Sequence, residues 1–280
     1  ENVNYGREEL MFLNICRKGL LGELYHGEAA YIHDLRWQMY EEEIGTGSWR
    51  TLQYEKKKGN LYPTHGLGPV SQYMNVLRTD DTFKTLISFS SPALGREKFA
   101  RENFKENHKW NKLNYQNGDI NTTVIKTYLG RTIMVQWDET SPRPYTRLNL
   151  IQGTKGILAG GPTRAAFDNG FEGYTKDAEE WITGEGIDAL YEKYDHPMYK
   201  RLNKITQDSG HGGMDGMMVY RIIECLRKGE PLDQNVYEGC AWSSLIELTS
   251  NSVNNDGQPQ DFPDFTRGNW VNTNTFDIIP

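Results

Sequence analysis

Residues 121–138 read N-T-T-V-I-K-T-Y-L-G-R-T-I-M-V-Q-W-D. Two runs rich in β-branched residues, 121–128 and 132–138, are separated by Leu129-Gly130-Arg131, which is the pattern of a β-hairpin. Working downstream, residues 147–152 and 156–159 continue as strands until Gly160-Gly161-Pro162 breaks the pattern. Working upstream, residues 83–90 predict a strand with Leu86, Ile87 and Phe89 inside it, and residues 23–34 predict another. Helical spacing marks residues 7–18, stopped by Gly19, then 214–228, stopped by Gly229 and Pro231, and 237–250. Shorter helices are expected over 37–44, 178–182 and 187–194, a loop over 45–48, and helical turns with loop over 95–115. The polar tail, 251–280, is expected to wrap the body as irregular chain. A block of strands without intervening helices, flanked by helices, argues for an α+β fold: a large, mostly antiparallel open sheet with helices on one face. Residues 1–280 then form one domain, and the open face, carrying Val124, Ile133 and Val135 in the hairpin strands, is an association surface for a homo-oligomer.

Composition bounds the function. The chain has 280 residues, a formal net charge of −7, and 37% hydrophobic, 12% aromatic and 25% charged residues, as expected of a soluble globular protein. No basic run is long enough to follow a phosphate backbone, and Glu55-Lys56-Lys57-Lys58 reads as a solvated turn, so nucleic acid is excluded. No apolar run reaches membrane-spanning length. Cys16, Cys225 and Cys240 lack metal-ligand spacing. The compartment stays open, with export to a bacterial periplasm or cell envelope among the readings. The chain begins without Met, at Glu1-Asn2-Val3-Asn4-Tyr5, as if cut from something longer.

The chemistry-bearing stretch is 58–75, K-G-N-L-Y-P-T-H-G-L-G-P-V-S-Q-Y-M-N. Pro63 favours an extended Tyr62 before it. Gly66 and Gly68 suit a tight turn, Pro69 a first helical turn, and Val70, Tyr73, Met74 and Leu77 follow at helical spacing. A phenol and an imidazole, Tyr62 and His65, would share a rim beside the positive end of a helix, an arrangement suited to proton exchange with a hydroxyl group. The same pair could simply cap a buried turn. Gly210-His211-Gly212-Gly213-Met214-Asp215-Gly216 fails as a dinucleotide fingerprint, because Asp215 stands where a glycine is needed and no strand precedes it. His211 and Asp215 remain as polar groups at a helix start. His26 and Glu28 share a strand face, away from His33, and lack further ligands, so no metal is expected. Arg143-Pro144-Tyr145-Thr146-Arg147 places guanidiniums and a phenol at a strand entrance, fit to bind a sugar hydroxyl or to brace the turn.

Together these stretches resemble the C-terminal part of family-109 glycoside hydrolases, NAD-dependent α-N-acetylgalactosaminidases within the Gfo/Idh/MocA superfamily. The resemblance rests on E-N-V-N-Y-G-R-E-E-L (1–10), H-G-E-A-A-Y-I-H-D-L-R (26–36), G-T-G-S-W-R (45–50), G-N-L-Y-P-T-H-G-L-G-P (59–69), S-P-R-P-Y-T-R (141–147) and H-G-G-M-D (211–215). It implies an N-terminal Rossmann domain that binds NAD, missing upstream of Glu1, with this domain supplying the sugar site. The implied route is oxidation of the sugar, elimination of the glycosidic group, addition of water and reduction, and it needs no paired carboxylates. Carried over by motif, Tyr5, Arg50, Tyr62, His65 and Tyr145 correspond to sugar-site positions. His65, Tyr62 and Tyr5 are expected in acid–base roles, and Arg50, Tyr62, Tyr145 and His211 in substrate binding. Leu61 stands where sugar dehydrogenases of the superfamily tend to carry Asp, which favours the hydrolase branch. The rivals are a plain NAD(P)-dependent sugar oxidoreductase and a non-catalytic sheet module; the isolated chain is expected to be inactive.

Overall fold

The computed structural model describes residues 1–43 and 45–275. The hairpin forms as read: strands β3 (Ile120–Thr127) and β4 (Thr132–Asp138) pair antiparallel, with Ile125 opposite Ile133 and Asn121 opposite Trp137. Upstream lie α1 (Arg7–Arg17), β1 (Leu24–Ile32), α2 (Thr46–Lys56), α3 (Thr64–Tyr73), β2 (Phe83–Ser90) and α4 (Gly95–Asn103). Downstream lie β5 (Leu150–Gly153), β6 (Gly156–Ala159), β7 (Arg164–Phe167), α5 (Glu185–Tyr194), α6 (Pro197–Thr206), α7 (Met214–Lys228), α8 (Val236–Asn254) and β8 (Gln260–Asp261). The eight strands form one open sheet in the order β7-β6-β5-β1-β4-β3-β2-β8. Only the β1–β4 pair is parallel, with Gly27 beside Ile133 and Tyr31 beside Trp137. The fold is therefore the expected α+β class with a mostly antiparallel sheet.

Strand periodicity sorts the faces. Leu86, Ile125, Ile133, Val135 and Trp137 are buried beneath the helices, chiefly α3 against β1 and α8 against β2. Ile87 and Val124, paired across β2 and β3, point the other way and are 38% and 40% exposed. That face is open, as expected, although Ile133 and Val135 belong to the covered side. Among the described residues no helix is long and apolar enough to cross a membrane.

Several local expectations are corrected. The 45–48 loop is instead the start of α2: Gly45 turns the chain at φ 124°, and the Glu41 carboxylate accepts the Gly47 amide at 3.1 Å, satisfying a free amide of the first turn. The helix expected over 37–44 is a 3-10 turn over Arg36–Tyr40, and Ile44 lies outside the described residues. Residues 178–182 are not helical, because Ile182 bonds back to Ala165 at the β7 edge. The strand expected from Arg147 begins at Leu150, since Leu148 and Asn149 adopt φ values of 57° and 50°. The tail is less irregular than expected: α8 runs on to Asn254, and Gln260–Asp261 adds a short strand beside Thr85 and Leu86. Helix α6 and strand β7 are additions that the sequence pattern did not reveal.

Candidate active site

The central stretch folds differently from its expected turn. Helix α3 starts at Thr64, directly after Pro63, so Gly66, Gly68 and Pro69 lie inside it. The glycines serve close packing. A Cβ on Gly66 would stand 2.4 Å from the Ala30 amide nitrogen and 2.7 Å from its carbonyl oxygen, and one on Gly27 would stand 2.4 Å from Val70 Cγ1. Helix and strand can approach this closely only without those side chains. The approach brings His65, in the first turn of α3, against Tyr31 of β1, with ring centroids 5.4 Å apart and nearly perpendicular. Tyr62 completes the contact at 4.7 Å from His65 and 4.6 Å from Tyr31. His33, just past the end of β1, lies 5.9 Å from Tyr31, and Tyr145, from the segment between β4 and β5, lies 5.0 Å from His33.

Arg50, on α2, closes this cluster. Its guanidinium lies 5.4 Å from the Tyr62 ring centre and 5.0 Å from that of Trp49. It pairs with Glu139, just past β4; both residues are buried. Glu139 also faces Arg96 at 3.8 Å and the Tyr54 hydroxyl at 3.5 Å. Breaking such a buried pair typically costs about 3–5 kcal/mol, so Arg50 is firmly held.

Burial sets the protonation of the rings. It pushes the Tyr31 phenol up to about 12, and it raises Tyr62 as well, with the nearby Glu1 charge adding to the effect. Both are therefore neutral O–H donors at physiological pH, and among the described residues neither hydroxyl is hydrogen-bonded. Burial lowers His33, leaving its imidazole neutral. Glu1 would be raised by burial, but His65 and Thr64 outweigh that and hold its carboxyl low. The His65 Nδ1 approaches Glu1 Oε1 at 2.8 Å as an ion-pair contact whose angle is outside the hydrogen-bond range.

Tyr5 and His211 lie elsewhere. The Tyr5 hydroxyl donates to buried Asp233 at 3.0 Å, and burial together with that carboxylate raises its pKa well above the usual phenol value. No ring contact joins it to the cluster. His211, at φ 55°, is largely exposed and contacts Asp215 at 2.7 Å, while Asn2 donates to the other oxygen of Asp215 at 2.6 Å. Tyr5 and His211 line one cavity of about 260 Å³. Arg147 lines it too, pairing with Glu9 and donating to the Tyr145 hydroxyl at 2.7 Å, so cavity and cluster share a wall.

Four of the six expected site residues, Arg50, Tyr62, His65 and Tyr145, thus meet, while Tyr5 and His211 flank them. Tyr31 and His33 also belong to this cluster, and the sequence reading did not include them. Their signal was the period of two in Tyr31-Ile32-His33, which places both rings on one side of the chain. The Gly210–Gly216 segment follows α6 and a turn, not a strand. That segment therefore offers no strand–turn–helix cradle for a dinucleotide pyrophosphate. Nor is any group of three or more His, Cys, Asp or Glu among the described residues placed to hold a metal ion.

The family described as "Glycosyl hydrolase 109, C-terminal domain" matches residues 5–272. The chain belongs to that family. The whole chain is 60% identical to glycosyl hydrolase family 109 protein 1 of Akkermansia muciniphila, covering 58% of it. It is 56% identical to a family-109 protein of Shewanella sp. strain W3-18-1, covering 60% of that protein. The chain therefore spans about three-fifths of the length of the curated relatives it matches. Among solved structures, an NAD binding oxidoreductase from Klebsiella pneumoniae superposes with a TM-score of 0.63 at 11% identity, over 94% of this chain and 65% of that one. A levoglucosan dehydrogenase in complex with NADH and levoglucosan gives 0.62 at 14% identity, with the same coverage. These likenesses establish the fold alone, an α+β open sheet shared with both solved structures.

Proposed function

We propose that residues 1–280 are the substrate domain of an NAD-dependent glycoside hydrolase acting on α-N-acetylgalactosaminide-like sugars by oxidation, elimination, addition and reduction. The dinucleotide is then held mainly by a preceding domain, in keeping with the greater length of the relatives, and the chain without it is inactive. The observation that carries this reading is the convergence of Arg50, Tyr62, His65 and Tyr145, brought from three separate segments into one aromatic cluster.

When bound, NAD supplies the hydride acceptor and donor; the residues of this chain handle the sugar and its protons. His65, beside Glu1, moves a proton to and from a sugar hydroxyl. Tyr62 donates a hydrogen bond from its neutral phenol. Arg50 and Tyr145 orient the ring, and Arg147 fixes Tyr145 through its hydroxyl. Tyr5, whose hydroxyl is taken by Asp233, and His211 shape the adjoining cavity.

The test is turnover of p-nitrophenyl α-N-acetylgalactosaminide by the full-length protein with NAD. Nitrophenol release without accumulation of NADH is expected. Accumulating NADH with a free sugar would instead support a sugar oxidoreductase, the reading favoured by the likeness to levoglucosan dehydrogenase. The exposed Ile87 and Val124 on the open sheet face are assigned to contact with a second copy; a strictly monomeric mass by light scattering would remove that assignment.

A further inference from the structure

We propose that His33 is a sugar-contacting residue whose imidazole accepts a hydrogen bond from a hydroxyl group of the bound carbohydrate. This rests on the reading of the cluster as a sugar site. Three observations carry it. First, His33 is anchored: its amide donates to the Asp138 carbonyl at 2.8 Å, and its ring packs on Tyr145 at 5.0 Å and on Tyr31 at 5.9 Å. Second, its side chain is only half-buried and, among the described residues, engages the Asp34 backbone but hydrogen-bonds to no other side chain, so a ligand can reach it. Third, the cluster has few free strong acceptors.

The third point follows from counting donors and acceptors. Arg50 can only donate, and the neutral phenols of Tyr31 and Tyr62 donate through O–H and accept more weakly than an imidazole nitrogen. Glu139, an acceptor, is already engaged by Arg50 and faces Arg96. Glu1 is occupied by His65. A sugar hydroxyl has one proton to donate and needs somewhere to place it. A neutral imidazole offers that lone pair. His33 and His65 both pack against Tyr31 yet make no ring contact with each other, so the two imidazoles address different parts of a ligand. Burial keeps His33 neutral against Glu139 and Asp34, which favour its charged form, while Arg50 opposes charging. Tyr31, Tyr145 and the second imidazole, His65, are the other titrating groups that face this space.

The experiment measures binding of methyl α-N-acetylgalactosaminide to the full-length protein by calorimetry from pH 5 to 8. The variants are His33→Phe and His33→Gln, with circular dichroism confirming their fold. Phe keeps the ring packing and removes the acceptor, so its Kd should rise roughly 5- to 10-fold, the scale of one neutral hydrogen bond. Gln keeps a non-titrating acceptor and should bind within about threefold of the parent, about half the energy of such a bond. Protonation removes the lone pair, so binding by the parent should weaken as the pH falls through the lowered His33 pKa, and Gln should flatten part of that slope. Unchanged binding by His33→Phe, or an acid slope identical in His33→Gln, overturns the proposal while leaving the sugar site intact. Absence of binding by the parent overturns the sugar-site reading and this inference together, which separates the two failures.

Discussion

Two regions of this protein combine the same three residue types, tyrosine, arginine and a carboxylate, and use them differently. In the aromatic cluster, Glu139 holds Arg50 from behind, and the hydroxyls of Tyr31 and Tyr62 remain unbonded. Around α7, Asp233 binds Arg221 through two hydrogen bonds, at 3.0 and 2.8 Å, and also accepts the Tyr5 hydroxyl. Arg221 further pairs with Glu224, which Arg201 and Lys228 share. The second network consumes its own hydrogen-bonding capacity and ties the N-terminal segment to α7 and the α7–α8 connection. The first leaves capacity unspent at a rim. Residue type alone does not distinguish a structural network from a reactive one; what distinguishes them is whether the donors and acceptors are already satisfied.

Substitutions probe that contrast. The largest effect is expected from His65→Ala in the full-length enzyme, which should lower glycoside turnover by roughly two to four orders of magnitude, the range of lost acid–base catalysis. Its melting temperature should change little, because His65 stands on the rim. Near-normal turnover in a well-folded variant would end the assignment of the cluster as the reactive region. Tyr5→Phe should show the opposite profile: a stability loss of about 1.5–3 kcal/mol for a buried hydrogen bond to a charged group, with turnover per folded molecule within about tenfold of the parent. A turnover loss of a hundredfold or more would move Tyr5 from the wall of the cavity into the chemistry.

An effect that vanishes at neutral pH concerns His196, buried near Asp233, whose pKa burial lowers from 6.5 to about 4. The unfolded chain takes up this proton at higher pH than the folded one. The neutral ring therefore contributes its full stability above pH 6.5, and the contribution is lost as the pH falls towards 4. The loss is at most about 3 kcal/mol. His196 Nδ1 also caps α6 by accepting the Met198 amide at 3.1 Å. His196→Asn retains a capping acceptor but does not titrate, so its thermal stability should fall less steeply than the parent's between pH 6.5 and 4. Parallel curves for the two proteins would show that this histidine does not govern the acid limb.

The sequence by itself determined the sheet and named four of the residues that meet in the aromatic cluster. Alternation in 120–138 fixed which residues share a strand face, because strand side chains point alternately whatever lies around them, but only the packed helices showed that Ile133 and Val135 are covered while Val124 is open. Helix stops at Gly229 and Pro231 bounded α7 for equally local reasons: a glycine adopts φ 68° there, and a proline cannot continue a helix. The motif resemblance named Arg50, Tyr62, His65 and Tyr145. Only the tertiary structure decided which of the named residues meet. Gly66 looked like a turn glycine, and its purpose shows only once Ala30 lies beneath it. Tyr5 carries a phenol like Tyr62, and only the fold shows that Asp233, 228 residues away, takes its hydroxyl. Tyr31 and His33 looked like strand residues until Tyr145 and α3 closed over them. Local patterns follow from backbone geometry within a few residues, whereas contact, burial and hydrogen-bond satisfaction depend on partners that the sequence does not place.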